Sequence, residues 1–430
     1  MKGTWRPTNA LLRAALVSAV LLVGGVVFSR PDLLVLGVPL LVHAVGGVLH
    51  RPTRVPRARA RLGHAAIREG EGTHLHVALD DAADVEYAAV ALAPRRWWRP
   101  RPASGVFGAA AVPRADRQEL SIPVASLRWG RQVVGEGVVG ATSAWAGYRC
   151  GPVDLAPVPL TTLPMPGRYD GTAPTPHPIG LVGTNPARRP GGGSEFASIR
   201  PFAPGDRLRR VQWRVSLRTG ALHVTSTVAE EDASVLLLVD SGVEIGVSGG
   251  TLGAASSLDI AVRAAGAVAE HYLRRGDRVA LRALGVSPVS VPAASGDRHL
   301  RRVLDSLARI VPGDVRDADP RRMRFRVPAG TVVVLFSPML SEQAMVAVTT
   351  LAQRGLTVIV VDTLPQDLEL TDTSAPLALA WRMRLVERDA LLARVGKTGT
   401  PVVAWRGPGT LDEVLRRLGR RASLPRLVRR

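Results

Sequence analysis

Two continuous runs of apolar residues lie near the start of the chain, at residues 14–28 and 33–49. Only residues 29–32 separate them. With its apolar or small flanks, each run approaches the roughly 20 residues that an α-helix needs to cross a bilayer. The pattern predicts a membrane hairpin over residues 1–50, with helices at about 10–28 and 33–49. A cleaved signal peptide is the alternative for the first run, but the second run directly after it favours the hairpin.

Basic residues flank the hairpin at its two chain ends. Lys2, Arg6 and Arg13 precede it, and five arginines follow between residues 51 and 61, whereas the connecting loop has a single arginine offset by an aspartate. Under the positive-inside rule, both ends of the hairpin lie in the cytoplasm. We therefore expect a multi-pass protein of the cell inner or plasma membrane whose soluble domains are cytoplasmic.

Residues 62–165 show short alternations of apolar and polar positions with a period of two. The clearest examples are residues 74–79, 85–92 and 119–124. No helical period of any length occurs in this region. The pattern predicts a small β-rich, β-sandwich-like domain.

Proline and glycine dominate residues 164–194, which show no apolar period. This composition predicts that a linker or surface arm begins residues 166–232. The RRPGGG sequence at 188–193 follows no strand and does not fit the G-x-G-x-x-G pattern. It is therefore predicted to form a flexible turn rather than a phosphate-binding loop.

From residue 233 onward, continuous apolar runs alternate with amphipathic helical patterns. The predicted strands are 234–240, 278–284, 331–336, 356–362 and 401–405, and the predicted helices are 256–275, 298–310, 342–354 and 410–418. Ser256 and Asp259 have the spacing of a capping box at the start of the first of these helices. Strands that alternate with helices of this length form a parallel sheet covered on both faces. The sequence predicts a doubly wound α/β domain over 233–422, followed by a basic tail at 423–430.

Composition narrows the possible functions. The chain has 56 basic and 36 acidic residues, a net charge of +20, but only 4% aromatic residues. The basic residues are spread along the chain and no DNA-reading helix is apparent. These features argue against nucleic-acid binding and leave anionic lipid as an equally good partner for the charge.

Catalytic patterns are sparse. Cys150 is the single cysteine, so an intrachain disulfide and a cysteine-based metal site are excluded, and it has no His or Asp beside it. The sequence Gly396-Lys397-Thr398 resembles the end of a P-loop, but Leu391 occupies the position of the first glycine. We therefore expect a non-enzymatic protein without a cofactor.

Residues 192–226 carry a dense set of charged, aromatic and glycine positions. The set is Gly193, Glu195, Phe196, Arg200, Phe202, Pro204, Gly205, Asp206, Arg210, Trp213, Ser216, Arg218 and Gly220. The segment resembles the signature of the "domain of unknown function 58" family, which precedes a von Willebrand A-like domain in that family. Two N-terminal membrane helices and a β-rich segment are also typical of the family, so the resemblance covers nearly the whole chain.

The signature supplies the interaction candidates. They are Glu195, Phe196, Arg200, Gly205, Asp206, Arg210, Trp213 and Arg218. One interpretation is a charge network that fixes this arm to the A-like domain, with the aromatic residues buried beneath it. The other is a docking surface for a partner, because Trp and Arg dominate interface hot spots. The sequence leaves both open.

The resemblance also implies a divalent-cation site after the first strand of the A-like domain, built from an Asp-x-Ser-x-Ser loop. Here the loop is residues 240–244, in which Gly242 and Glu244 replace the two serines, and Pro338 replaces a later aspartate. We therefore predict a degenerate site, with Asp240 and Glu244 as the remaining candidates and no metal expected. A metal-dependent, Mg²⁺-binding adhesion-type module is the alternative function.

A partner is implied by the same resemblance. Members of the family are often encoded beside MoxR-type AAA+ ATPases. The expected function is that of a membrane-anchored, non-enzymatic interaction or scaffold protein that acts with such an ATPase and contacts the bilayer through its N-terminal helices.

Overall fold

The computed structural model describes most of the chain in two compact units, which comprise Met1–Met165 with Gly250–Gly253 and Pro166–Gly249 with Ala254–Arg430. The described residues are 3–112, 114–165, 190–203, 208, 211–228, 234–286, 289–313, 327–328, 331–366, 368, 374–397 and 399–406. For residues 190–198 and 226–228 the description covers the backbone alone.

Two antiparallel apolar helices begin the first unit, α1 (Asn9–Val27) and α2 (Pro31–Leu49). Their ends lie within two residues of the predicted bounds, and both are long and apolar enough to cross a membrane. Leu11, Ala14 and Ala44 pack between them, while most other apolar side chains of the pair face outward. Outward-facing apolar surface over the whole length of a helix pair is typical of lipid-facing segments.

Twelve of the described strands lie with this hairpin in the first unit. They are β1 (Trp5–Pro7), β2 (Arg57–Leu62), β3 (Ala66–Arg68), β4 (Gly72–Asp80), β5 (Val85–Leu92), β6 (Trp98–Pro100), β7 (Val106–Ala110), β8 (Arg117–Ser126), β9 (Gly130–Val134), β10 (Gly137–Ser143), β11 (Tyr148–Leu155) and β12 (Val158–Leu163), β1 alone lying before the helices. They form sheets ordered β1-β11-β10-β5-β7, β2-β4-β8-β6 and β3-β12-β9. Alternate residues of the two larger sheets share one apolar core, which includes Leu75, Ile122 and Val90.

Strand β1 is an element that the sequence pattern does not predict. It pairs antiparallel with β11, and the Trp5 indole donates a hydrogen bond to the Arg54 carbonyl at 2.6 Å. Three residues are too few to show a period of two. Its pairing fixes the chain directly before α1 to the β-rich part of the same unit.

The turn that leaves α2 is held by Asp84. Its Oδ2 accepts hydrogen bonds from the backbone N–H groups of Thr53 and Arg54, at 2.8 and 3.0 Å. Burial raises the pKa of the Asp84 carboxyl, but these N–H groups, the Thr53 hydroxyl and the Arg54 charge together lower that pKa below its ordinary value of 3.8. The carboxylate therefore stabilises the fold above pH 3.8, and this stabilisation is lost as the pH falls through the lower pKa of the folded state.

We expect the Asp84→Asn variant to lose that part of the acid sensitivity. Melting temperatures of the full chain, measured from about pH 6 to about pH 2.5, should fall less steeply for the variant than for the wild type. Asp116→Asn is the matched control, because Asp116 makes an exposed ion pair with Arg54. Parallel melting curves for the wild type and Asp84→Asn would contradict this assignment.

The second unit begins with an arm, in which β13 (Pro190–Pro201) pairs antiparallel with β14 (His223–Val228). A seven-residue helix, α3 (Trp213–Thr219), lies between them and ends at Gly220, whose φ is 72°. Residues 190–193 of the segment predicted as a flexible turn (188–193) are instead part of β13, because the strand pairs with β14 as far as Pro190. Residues 166–189 of the predicted linker lie outside the described residues.

A six-stranded sheet follows. Its strands are β15 (Ser234–Asp240), β16 (Arg278–Leu284), β17 (Ser290–Ala294), β18 (Val332–Ser337), β19 (Thr357–Asp362) and β20 (Val402–Ala404), and its helices are α4 (Ser257–Arg274), α5 (Asp297–Leu307), α6 (Glu342–Gln353) and α7 (Ala375–Lys397). The order is β17-β16-β15-β18-β19-β20, and all pairings are parallel except that of the edge strand β17. Mixed α/β content is thus as predicted.

Strand β15 is buried on both faces. Leu236 and Leu238 pack into a core with α6, whereas Leu237 and its alternate neighbours point to the opposite face, as the period of a strand requires. Helix α4 begins with the predicted capping box of Ser256 and Asp259.

Two elements of the sheet region were not predicted, the edge strand β17 and the 23-residue helix α7. Only Arg388 and Val395 of α7 are buried, and apolar residues such as Met383 and Val386 are exposed. The helix therefore has no continuous apolar face that a periodicity argument could detect. The predicted helix at 410–418 and the basic tail at 423–430 lie outside the described residues.

Candidate functional site

Asp240 lies at the carboxyl end of the central strand β15 and is 1% exposed. One of its oxygens, Oδ1, accepts a hydrogen bond from the Gly242 N–H at 3.1 Å. The other, Oδ2, accepts hydrogen bonds from the hydroxyl groups of Ser337 and Ser341, with oxygen–oxygen distances of 2.6 and 2.8 Å. The carboxylate is thus surrounded by hydrogen-bond donors, which compensate its burial.

The two serines connect Asp240 to the loop after β18. The Ser337 hydroxyl accepts the Met339 N–H at 2.8 Å, and the Ser341 hydroxyl accepts the Ala344 N–H at 3.2 Å. Ser341 is therefore the N-cap of α6, and a carboxylate close to a helix N-terminus is favoured by the helix dipole. The sequence did not point to these serines, because they are 97 and 101 residues from Asp240.

Glu244, the second candidate of the predicted degenerate metal loop, has a separate set of contacts. Its Oε1 accepts a hydrogen bond from the Ser256 hydroxyl at 2.6 Å, and the Ser256 hydroxyl in turn accepts one from the Asp259 N–H. Glu244 therefore supports the start of α4. Within the part of the chain that the structure describes, no three His, Cys, Asp or Glu side chains are grouped closely enough to hold a metal. The absence of metal binding stays a prediction.

An ion pair between a buried arginine and a mostly buried aspartate lies at the same edge of the sheet. Arg388 of α7 is 5% exposed, and its Nη2 is 2.5 Å from Oδ1 of Asp362, the last residue of β19. Its Nε donates to the Pro338 carbonyl at 2.7 Å, so this arginine joins α7, β19 and the loop after β18. Sequence reasoning missed Arg388, because α7 gave no helical pattern on which to place it.

A pocket of about 220 Å³ opens beside this pair. Its lining comprises Met339, Leu340, Ser341, Glu342, Met345, Arg384, Arg388 and Leu391. Both arginine side chains have protein acceptors, Pro338 for Arg388 and the Leu340 carbonyl for Arg384. The arrangement stabilises the loop between β18 and α6.

Of the two interpretations that the sequence left open, the one that buries Trp213 beneath a charge network does not agree with the exposure of its side chain. Trp213 is 61% exposed and Leu217, one turn later on α3, is 83% exposed. Ser216 forms the buried face of α3 instead, where its hydroxyl donates to the Gln212 carbonyl and accepts the His223 N–H at 2.8 Å. A serine hydroxyl can both donate to and accept from these backbone groups, whereas an indole can only donate.

The remaining signature residues are placed as follows. Arg200 is the second-last residue of β13 and donates to the Pro201 carbonyl at 3.1 Å. Arg218 is exposed in the last turn of α3. Glu195 and Phe196 lie in β13, where only their backbone is described. Gly205, Asp206 and Arg210 lie outside the described residues. The charge network therefore stays a prediction.

Residues 198–376 match the family described as "Protein of unknown function DUF58". The match confirms the sequence resemblance to the DUF58 family over this segment. The DUF58 segment begins in β13 and ends in α7, so it contains Trp213, the Asp240 cluster and the loop after β18. It does not include Glu195, Phe196, the two apolar helices or the β-rich strands, to which the sequence resemblance had extended.

Three curated relatives share 35% identity with this chain over 130 residues. They are "Uncharacterized protein Rv1480" and "Uncharacterized protein MT1527" of Mycobacterium tuberculosis strains H37Rv and CDC 1551, and "Uncharacterized protein Mb1516" of Mycobacterium bovis. The matched part is 30% of this chain and 40% of the length of each relative. Among solved structures, the cupredoxin domain of amoB from Nitrosocaldus yellowstonii matches 29% of this chain and 97% of its own, with 12% identity and a TM-score of 0.17. A TM-score this low assigns no fold.

Proposed function

We propose that this protein is a membrane-anchored, non-enzymatic interaction protein whose DUF58 segment docks a partner through α3. The observation that carries the proposal is the exposure of Trp213 and Leu217, which are four residues apart and therefore lie on one side of the helix. Arg214 and Arg218 are also exposed and four residues apart. A large apolar pair beside two arginines has the composition of an interface hot spot.

The α/β domain is proposed to be a von Willebrand A-like module that binds without a metal ion. The order and parallel pairing of its sheet and the position of Asp240 at the end of the central strand support this assignment. Both Asp240 oxygens accept hydrogen bonds from protein donors. The Ser337 and Ser341 hydroxyls thus compensate the carboxylate charge where a bound cation would otherwise do so.

The proposed partner is a MoxR-type AAA+ ATPase, as the family resemblance implies. This ATPase would contact α3 through a surface of its own that is acidic and apolar. The proposed location of both soluble parts is the cytoplasmic side of the membrane. The cluster of arginines that follows α2, set against the nearly neutral turn between α1 and α2, supports this orientation.

Crosslinking in native membranes followed by affinity purification tests the docking surface. We expect Trp213→Ser and Leu217→Ser each to lower recovery of the partner by about tenfold or more, as the loss of a hot-spot side chain does. Because both side chains are exposed, thermal unfolding should change little.

Val133→Ser in β9 is the matched control, since this residue is 54% exposed but lies outside the arm. Unchanged partner recovery with the Trp213 and Leu217 variants would reject α3 as the docking surface. Recovery of a protein other than an ATPase, sensitive to the same variants, would keep the surface and replace the partner.

A further inference from the structure

We propose that the corner between β10 and β11 is a lipid-binding site at the surface of the bilayer. The corner comprises residues 144–147, a single 3₁₀ turn followed by Gly147. Trp145 would lie among the lipid glycerol and carbonyl groups, and Arg6 and Arg149 would bind the phosphates of anionic lipids. The proposal rests on the membrane-anchoring role of α1 and α2 proposed above.

The corner packs directly on the last turns of α2. The Trp145 ring covers Gly46 so closely that a Cβ atom added there would be 2.8 Å from the ring. The ring also meets His43 edge-on, with 6.3 Å between centroids. A Cβ on Gly147 would similarly be 3.0 Å from the Gly47 Cα. The two adjacent glycines of α2 therefore allow the corner to touch the helix backbone.

The corner is also tied to the beginning of α1. The Thr8 N–H donates to the Gly147 carbonyl at 2.9 Å, and the Thr8 hydroxyl donates to the Ala146 carbonyl at 2.8 Å. Thr8 is the N-cap of α1, so the corner is bonded next to the first turn of one helix and packed on the last turns of the other. Its depth is consequently fixed relative to both helices.

That depth follows from the helix length. Each helix has 19 residues, which at about 1.5 Å per residue gives about 28 Å. A hydrocarbon core of about 30 Å therefore requires the whole length of each helix. Gly46 lies one turn before the end of α2, so Trp145 lies within about 5 Å of the hydrocarbon boundary. This is the level at which Trp side chains concentrate in membrane proteins.

The backbone of the corner holds Trp145 in an unusual orientation. Trp145 and Ala146 both have positive φ, 59° and 49°, although neither is glycine. Such conformations cost free energy and persist where the surrounding contacts impose them. Here they leave the Trp145 side chain 44% exposed beside an apolar helix rather than in the protein core.

Two arginines lie next to the corner. Arg6 of β1 is directly opposite Arg149 of β11 in the antiparallel pair, and both side chains are exposed. Like charges in opposite positions destabilise a strand pair. Neither arginine forms an ion pair with any carboxylate of the described residues. A lipid phosphate between the two guanidinium groups would remove the repulsion.

Fluorescence quenching of the full chain in nanodiscs tests the depth of the corner. Trp145→Cys, Leu36→Cys and Val133→Cys would each carry an environment-sensitive fluorophore, since Leu36 lies within α2 and Val133 lies in β9. Cys150 is buried, and burial raises the pKa of its thiol, so the parent chain serves as the control for background labelling. We expect a spin-labelled lipid with a shallow label to quench position 145, a deep label to quench position 36, and iodide in water to quench position 133.

Labels at these three positions distinguish failure of the proposed lipid site from failure of the proposed membrane anchor. Quenching by lipid at position 36 but only by iodide at position 145 would overturn the lipid site and leave the anchor intact. Quenching by iodide alone at both positions would reject the membrane anchor and, with it, the lipid site.

The phosphate contact has its own test in nanodiscs of phosphatidylcholine with and without phosphatidylglycerol. We expect phosphatidylglycerol to raise the melting temperature of the wild type, and this shift to be lost in Arg149→Gln and retained in Arg99→Gln. Arg99 is an exposed arginine of β6 and is the matched control. Equal shifts in all three proteins would show that the anionic lipid acts through charge in general and would overturn the assigned phosphate site.

Discussion

Arg388→Met is expected to lower the free energy of unfolding of the α/β domain by about 3 kcal/mol, the lower end of the cost of breaking a buried ion pair, because the Asp362 side chain that is left alone is 17% exposed. The substitution removes the charge that faces Asp362 and the donor to the Pro338 carbonyl. Hydrogen–deuterium exchange of the full chain should show faster exchange in β19 and in the loop after β18, because both are held by this side chain.

Arg384→Met is the matched control. Arg384 precedes Arg388 by one turn of α7, but its side chain is 54% exposed, so its loss should cost less than about 1 kcal/mol. Replacing both members of the buried pair, with Asp362→Leu added to Arg388→Met, should restore part of the protection. Equal exchange in the two single variants would show that burial of Arg388 adds nothing to stability.

Asp240→Ala is expected to destabilise the same domain by about 3–6 kcal/mol. Each hydrogen bond to a charged group contributes about 1.5–3 kcal/mol, and the substitution leaves the Ser337 and Ser341 hydroxyl protons buried without their acceptor. Exchange should increase at the start of α6, where Ser341 is the N-cap. The affected peptides would distinguish this loss from general unfolding.

Asp240→Asn separates the hydrogen-bonding role from a metal-binding role. With its carbonyl oriented toward the two serines, Asn keeps both hydroxyl bonds and loses only the bond from Gly242, so we expect a cost of about 1–3 kcal/mol. Isothermal titration of the wild type with Mg²⁺ should show no binding. Binding that disappears in Asp240→Asn would instead support the metal-dependent alternative.

The sequence pattern was sufficient to predict the elements that contain a long or continuous apolar run. The two apolar helices, the five parallel strands and the capping box of α4 lie within a few residues of their predicted positions. It was insufficient for β1, which is too short to show a period, and for α7, whose apolar residues are exposed. Hydrophobic periodicity reports which side of an element is buried, and these two elements have no distinct buried apolar side.

In the candidate site, too, some features could be predicted from the sequence and others could not. The sequence alone located Asp240 at the end of a buried strand and Trp213 in the family signature. Only the tertiary structure decided that the partners of Asp240 are serines 97 and 101 residues away, and that Trp213 is exposed while Ser216 is buried. The physical reason is that residue type and spacing determine the local element and its apolar face, whereas the partner of a buried polar group depends on which distant segments the packed sheet brings together.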